Sequence, residues 1–320
     1  MASSERRMMV FAGTRNTELS EGIAQHLGIK LGDAKITCFA NGEIYVRYLE
    51  SVRGADVFIV QSVCCPVNAS LMEMLIMIDA AKRASARSIT AVITHYGYAR
   101  QDKKSAAREP ITAKLVADLI TTAGADRVIT MDLHQGQIQG FFNMPVNHLT
   151  ALPILENYFE TLQLSDVVVV SPDVGRVKVA KKFADMLGSG LAIMHKGRPE
   201  HNVAEITNVI GEVEGKTCII IDDMIDTAGS ITEGAKALVG KGAEDIYVAA
   251  THGIFSSPAF GRIAESPIKE VVVTNSLPVP MDRRDAKIRV LSVAPLFAHA
   301  IRNVFDNESV SELFDPDFQL

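Results

Sequence analysis

Hydrophobic and polar positions follow two rhythms along this chain. Short β-branched runs recur at residues 56–60, 88–94, 127–131, 166–170, 217–221, 245–250 and 270–274. Longer stretches with apolar residues three and four apart lie at 70–84, 112–123, 177–187 and 230–239. The first rhythm predicts strands and the second amphipathic helices. Their alternation predicts an α/β architecture with largely parallel sheets flanked by helices. The VVVV run ending at Val170 and the CIII run from Cys218 carry no polar interruption, as expected of strands covered on both faces. A weak internal echo favours two domains. GADRVITMDLHQG (124–136) and GAEDIYVAATHG (242–253) share a Gly-Ala pair, an acidic residue, an apolar strand and a histidine. With a boundary placed near 147–152, the expected domains are 1–150 and 151–320, and the last helix, 294–305, can return to the first.

Composition narrows the function classes. The chain has 320 residues, 48% hydrophobic and 22% charged, enough for about two domains of roughly 150 residues. A net charge of -6 disfavours a nucleic-acid partner, which needs a basic footprint. The four cysteines are Cys38, Cys64, Cys65 and Cys218; none is spaced C-x-x-C, so zinc and disulfide frameworks are not expected. The start, MASSERR, is polar, and no apolar run nears ~18 residues. A cytoplasmic protein without a membrane partner is expected.

The most informative stretch is CIIIDDMIDTAGSI (218–231). An apolar strand runs into Asp222 and Asp223, then Asp226, then the small residues Thr227, Ala228, Gly229 and Ser230. A helix starting there offers unsatisfied N–H groups, partial positive charge and two hydroxyls, which suits a phosphate. Gly229 permits close backbone approach. Carboxylates aimed at the phosphate would repel it, so Asp222 and Asp223 are expected to face something beside it: vicinal hydroxyls, or a Mg²⁺ ion. The simplest ligand with both features is a sugar phosphate such as ribose 5-phosphate. Upstream, GEVEGKT (211–217) falls one residue short of a nucleotide-binding phosphate loop and precedes a strand instead of following one, so it is rejected.

Other stretches are ambiguous singly. FANGEIYVR (39–47) offers Phe39 for stacking on a purine and Asn41 and Glu43 for its edge, although a Phe is more often core. YARQDKK (98–104) is a basic loop past a strand end, where α/β proteins bind ligands. MDLHQGQIQGFF (131–142) places His134 just past another strand. SPDVGRVK (171–178) is a strand-to-helix turn with Asp173, suited to pyrophosphate and metal. MHKGRPEHNVAE (194–205) reads as a mobile loop carrying Lys196 and Arg198.

In this order these stretches, together with THGIFSSPA and ESVSELF, resemble class I ribose-phosphate diphosphokinases (phosphoribosyl-pyrophosphate synthetases) over about residues 9–314. The DDxxDTxGS string alone also resembles type I phosphoribosyltransferases. The resemblance implies two tandem type I phosphoribosyltransferase-like domains. It implies transfer of the β,γ-pyrophosphoryl group of Mg-ATP to the C1 hydroxyl of ribose 5-phosphate, giving 5-phosphoribosyl 1-diphosphate and AMP. By that likeness Phe39, Asn41 and Glu43 would hold adenine across a subunit interface, and Arg100, Gln101 and Asp102 would help bind ATP. His134 and Asp173 would bind Mg²⁺, with His134 also near the ATP phosphates. Asp222 and Asp223 would take the ribose hydroxyls, and Asp226, Thr227, Ala228, Gly229 and Ser230 the 5-phosphate. Lys196 and Arg198 would close over the reaction.

The resemblance further implies a homo-hexamer built from dimers, activated by inorganic phosphate and inhibited by ADP. Ser51, Arg53, Arg108, Ser309 and Ser311 stand at the matching allosteric positions. Gly197 and the Glu200-His201 pair depart from the family pattern, while both loop cations are kept.

Overall fold

The fold is that of a computed structural model describing residues 6–200, 203–281 and 287–310, with side chains described outside 196–200 and 203–207. The chain divides into two compact units: Met1–Thr150 with Ser276–Pro278 and Ser292–Leu320, and Ala151–Asn275 with Val279–Leu291.

The first unit begins β1 (Met8–Ala12), α1 (Thr17–Leu27), β2 (Ala34–Cys38), β3 (Ile44–Tyr48), β4 (Asp56–Ser62) and α2 (Val67–Arg83). It continues β5 (Ser88–His95), α3 (Thr112–Ala123), β6 (Arg127–Met131) and β7 (Val146–Leu149). Five strands form a parallel sheet in the order β1-β4-β5-β6-β7, and β2 and β3 make a separate antiparallel hairpin. All seven residues of β4 are buried, its Val57–Val60 run covered on both faces and its flanking Asp56, Gln61 and Ser62 buried as well. Met74, Met77 and Ile78 of α2 and Val116, Ala117 and Ile120 of α3 share one core with Val57, Ile59, Ile89, Ala91 and Ile93.

The second unit contains α4 (Leu152–Thr161), β8 (Val167–Ser171), α5 (Val177–Met186), β9 (Gly190–Glu200), β10 (Val203–Ile210) and β11 (Thr217–Ile225). There follow α6 (Gly229–Val239), β12 (Asp245–Gly253), α7 (Ala259–Glu265), β13 (Glu270–Thr274) and β14 (Ile288–Leu291). The sheet order is β10-β9-β8-β11-β12-β13-β14, parallel except for the β9–β10 pair. Alternation is complete in its core. Cys218, Ile220, Val248 and Val271 pack with Ile231, Ala235 and Leu238 of α6. Ile219, Ile221, Ala249 and Val272 pack on the other face with Leu155 and Phe159 of α4 and Phe183 of α5.

The last helix, α8 (Ala294–Asp306), belongs to the first unit. Its Arg302 donates to the Leu27 carbonyl at the end of α1, 2.7 Å away. Residues 276–278 are tied to the same unit through the Ser276 carbonyl, which accepts from Thr94 Oγ1 at 2.7 Å and Ser62 Oγ at 2.9 Å.

The echo between the two halves has a structural counterpart. β6 follows α3 and lies beside β5; β12 follows α6 and lies beside β11. Gly124 (φ +115°) and Gly242 (φ +85°) both take the left-handed turn that leads from helix to strand.

Two expectations are corrected. Residues 194–205 do not read as a loop: the described part pairs as β9 with β10, Met194 opposite Val209 and Lys196 opposite Ile206. Val203, Ile206, Val209 and Ile210 are β-branched and favour this pairing. Strand β11 runs four residues beyond Ile221, carrying Asp222 and Asp223 inside it, because β12 continues alongside and pairs Ala250 with Asp222 and His252 with Met224.

Candidate functional site

Parallel α/β sheets gather ligands at the carboxyl ends of their strands. Asp222 and Asp223 stand there on β11, one and two residues beyond Ile221, where neighbouring β8 has ended at Ser171. Arg176 reaches both from the turn before α5. Its Nη2 lies 2.5 Å from Asp223 Oδ1 and its Nε 3.4 Å from Asp222 Oδ1. The Arg176, Asp222 and Asp223 side chains are 11%, 20% and 7% exposed. Asp222 Oδ1 also accepts the Asp223 N–H at 2.8 Å. Burial pushes the Asp222 carboxyl up to about 8, and the charge and carboxyl of Asp223 push the same way; Arg176 and the Asp223 N–H pull against them.

The loop after β11 turns sharply. Ala228 sits in the left-handed region (φ +60°, ψ +3°) as the residue capping α6, so the helix opens at Gly229. Thr227 and Ser230 are exposed at the turn, and Thr232 Oγ1 donates back to the Ala228 carbonyl at 3.0 Å. Arg262 of α7 donates to the Thr227 carbonyl at 3.0 Å. A side chain at 229 would bring its Cβ to 3.2 Å from Arg262 Nη1, so Gly229 keeps the loop close to that cation. A cavity of about 390 Å³ opens here, lined by Thr227, Gly229, Ser230, Lys236 and Arg262 among others. Lys236 and Arg262 line it together with Glu233 and Glu265, so the pull on an anion comes chiefly from the helix-start N–H groups and the Arg262 guanidinium at the loop.

Asp173 caps the short turn Val174–Arg176, its Oδ1 accepting from Gly175 N at 2.8 Å and Arg176 N at 3.2 Å. Asp173, Asp222, Asp223 and the phosphate-type loop thus lie on one unit, and Arg176 links the three aspartates through its backbone and side chain. The side chains of Lys196 and Arg198 lie outside the described residues.

On the first unit, Phe39 is 56% exposed, which removes the core reading for it. It stands at the β2–β3 tip, edge-on to Tyr45 at 5.7 Å, and Asn41 Oδ1 accepts the Glu43 N–H at 3.2 Å. Arg100 and Gln101 are exposed, Asp102 is buried, and Gln101 Oε1 accepts from Thr112 Oγ1 at 2.5 Å. His134 follows Asp132, a residue at φ +35° just past β6. The turn between them is held by the Leu133 N–H, which donates to His148 Nε2 at 2.8 Å. Burial lowers the pKa of His148 against the opposing pull of Asp132, which suits an imidazole accepting at Nε2. Ser51 and Arg53 lie exposed before β4, where Arg53 Nη1 donates to Ser85 Oγ at 3.3 Å. Arg108 is exposed at φ +68°. The Ser309 carbonyl accepts from Asn303 Nδ2 at 2.8 Å, and Ser311 lies outside the described residues.

Sequence reasoning missed Arg176, Arg262 and His148. Arg176 was visible inside SPDVGRVK, three residues from Asp173, but read as part of a small-residue turn. Nothing local distinguishes Arg262 or His148, since their partners are 35 and 15 residues away.

Among the described residues no group of three or more His, Cys, Asp and Glu side chains is arranged to hold a metal by itself. Mg²⁺ commonly uses one or two carboxylates with water and substrate phosphates, and single acidic residues such as Asp173 fit that mode.

Comparison with known proteins covers both halves of the chain. Residues 8–124 match the family model for the N-terminal domain of ribose phosphate pyrophosphokinase, and residues 198–315 match the phosphoribosyl synthetase-associated domain. A ribose-phosphate pyrophosphokinase of Caldanaerobacter subterraneus subsp. tengcongensis is 58% identical over 98% of this chain and 100% of its own length. That of Bacillus cereus is 55% identical over 96% of this chain and 97% of its own. The crystal structure of phosphoribosylpyrophosphate synthetase from Mycobacterium smegmatis superposes with a TM-score of 0.90 at 51% identity, covering 94% of this chain and 100% of that one.

Proposed function

This chain belongs to the ribose-phosphate pyrophosphokinase family, and from that premise we propose that it joins ribose 5-phosphate to the β,γ-pyrophosphoryl group of Mg-ATP. The products are 5-phosphoribosyl 1-diphosphate and AMP, a supply for nucleotide, histidine and tryptophan biosynthesis. The observation that carries this reading is the pairing of Asp222 and Asp223 at the end of β11 with the anion-attracting loop that opens α6. One end suits vicinal hydroxyls and the other a phosphate.

The reaction forms a bond between the C1 oxygen and the β-phosphorus and breaks the bridge to the α-phosphate. Such a transfer needs alignment and charge neutralisation more than covalent help. Asp222 and Asp223 fix the ribose ring, and residues 226–230 hold its phosphate, so the C1 hydroxyl is left pointing outward. Phe39, Asn41 and Glu43 take the adenine, and Arg100, Gln101 and Asp102 the rest of ATP. Lys196 and Arg198 stabilise charge on the transferring group. His134 and Asp173 would hold Mg²⁺, which neutralises phosphate charge when bound. In this reading the enzyme acts in the cytoplasm as a homo-hexamer built from dimers, with phosphate activating and ADP inhibiting through Ser51, Arg53, Arg108, Ser309 and Ser311.

The test is to mix the protein with Mg-ATP, ribose 5-phosphate and inorganic phosphate and identify the nucleotide formed. AMP that depends on ribose 5-phosphate supports the reading. ADP would mark an ordinary kinase and overturn the mechanism.

A further inference from the structure

We propose that His148 is a positioning residue: its Nε2 holds the turn that presents His134, and through that turn it sets how well the chain engages ATP. This rests on the function proposed above, in which His134 stands near the ATP phosphates. β6 ends at Met131, paired with Leu149 of β7. The next residue, Asp132, takes φ +35°, a backbone conformation that residues with side chains rarely adopt. Such a turn persists where its surroundings fix it. Three contacts do so here. The Asp132 N–H donates to the Leu149 carbonyl at 3.0 Å. The Leu133 N–H donates to His148 Nε2 at 2.8 Å. The Leu133 residue is 5% exposed and shares the first unit's core with Ile138 and Phe142. His134 comes next in the chain, so its place depends on the Leu133 amide.

The contact asks for a particular kind of side chain. A backbone N–H can only donate, so Nε2 must offer a lone pair, and the hydrogen of the neutral ring belongs on Nδ1. β7 brings the imidazole to this spot: His148 lies opposite Thr130 in the sheet, beside the last turn of the strand path. Gln139 lies against the other side of the ring, its amide 3.1 Å from Nδ1, and is itself tied to the Gly136 carbonyl at 3.0 Å.

Losing the acceptor has a predictable consequence. An N–H on so buried a residue has little access to water, and an unpaired buried donor is costly. The turn shifts to relieve that cost, and His134 shifts with it. Small displacements of a group that meets the reacting phosphates cost much in rate. The ribose 5-phosphate residues stand on the second unit and take no part in this turn.

Steady-state kinetics on the full chain separates the two substrates. His148→Phe keeps a ring and removes the acceptor; kcat/KM for Mg-ATP is expected to fall about tenfold, while KM for ribose 5-phosphate changes less than about twofold. His148→Gln, whose amide oxygen reaches about as far as Nε2, should stay within about threefold of the unaltered enzyme. His148→Asn, whose oxygen stops near the position of Nδ1, should resemble His148→Phe. In a His134→Ala background His148→Phe should have little further effect, because both act on one group. An unchanged kcat/KM for Mg-ATP in His148→Phe would overturn the proposal, as would a loss in His148→Gln as large as that in His148→Phe. If His148→Phe fails to fold, equal values for His148→Asn and His148→Gln overturn it. If the unaltered enzyme makes no AMP from ribose 5-phosphate, the functional reading fails separately. Amide hydrogen exchange over residues 131–135 then still judges His148: protection lost in His148→Phe and kept in His148→Gln supports the role, and equal protection in the two refutes it.

Discussion

Raising the pH from about 7 to about 8.5 should tighten ribose 5-phosphate binding as the Asp222 carboxyl ionises. Burial and the neighbouring Asp223 push this carboxyl up to about 8. Asp222 Oδ1 accepts the Asp223 N–H, and the ionised carboxylate makes stronger, charge-assisted bonds to hydroxyl donors than the protonated carboxyl does, so sugar binding favours ionisation. Binding therefore drives off a proton. At pH 7, about one unit below the pKa, ionising the group costs about 1.4 kcal/mol, so Kd is about tenfold weaker than its alkaline plateau. Affinity should gain about tenfold per pH unit up to about 8 and then level. Isothermal titration calorimetry in buffers of different ionisation enthalpy would read about 0.9 proton released at pH 7. The ligand's own phosphate titrates near 6, and Asp222→Asn, which keeps that contribution and loses the other, isolates the difference. Stability follows the same linkage. A raised folded pKa gives stability present below about 4, where both states hold the proton, and lost as pH rises through about 8. Asp222→Asn should lessen that alkaline loss of Tm. A Kd independent of pH across this window, with no proton released by the unaltered chain, would refute the reasoning.

Three further outcomes are expected. Lys196→Ala and Arg198→Ala should each lower kcat at least about a hundredfold with Tm preserved, the loss of a charge acting on the transition state; near-normal turnover in initial-rate assays would remove them from the chemistry. Arg262→Ala frees the Thr227 carbonyl and takes a cation from the phosphate end, so KM for ribose 5-phosphate should rise about tenfold with kcat within about threefold; an unchanged KM speaks against that role. Ala228→Gly relieves a left-handed alanine, and urea unfolding should show about 0.5–1 kcal/mol of added stability, whereas a lower midpoint would show that the strain is absorbed elsewhere.

The buried strands were legible because their signal is local. Residues 127–131 and 270–274 are short runs rich in β-branched residues, and they form β6 and β13 at those bounds. The helix at 112–123 likewise shows a clear period and forms α3. Elements with weaker patterns escaped. The β2–β3 hairpin is amphipathic but short, with half its residues exposed. The acidic and small-residue motif told which residues would gather at β11, because strand, turn and helix start are contiguous there. It could not tell that Arg176 would join them, since a guanidinium 46 residues upstream reaches Asp222 only after β8 and β11 have paired in register. The loop expected at 194–205 shows the opposite error: glycine, proline and charges outweighed the β-branched residues that pair with β9.

That remote arginine bears on why three carboxylates can stand beside a phosphate site. In an unscreened cluster Asp222, Asp223 and Asp226 would oppose an anion only a few residues on. Here the repulsion is met from two sides. Arg176 neutralises one charge of the pair at the strand end, and Arg262 sits on the Thr227 carbonyl at the loop. The helix start at Gly229 adds N–H groups aimed along its axis. Each cation is placed by a different helix, α5 or α7, packed on the same sheet. Acid and anion sites can therefore be neighbours in sequence while each meets its own counter-charge. If that division is what makes the site work, Arg176→Gln and Arg262→Ala should act independently. Their effects on the free energy of ribose 5-phosphate binding should add to within about 0.5 kcal/mol in the double variant, because they have no shared partner. A coupling well above that would mean the two ends form one electrostatic unit, and that the phosphate feels Asp222 and Asp223 directly.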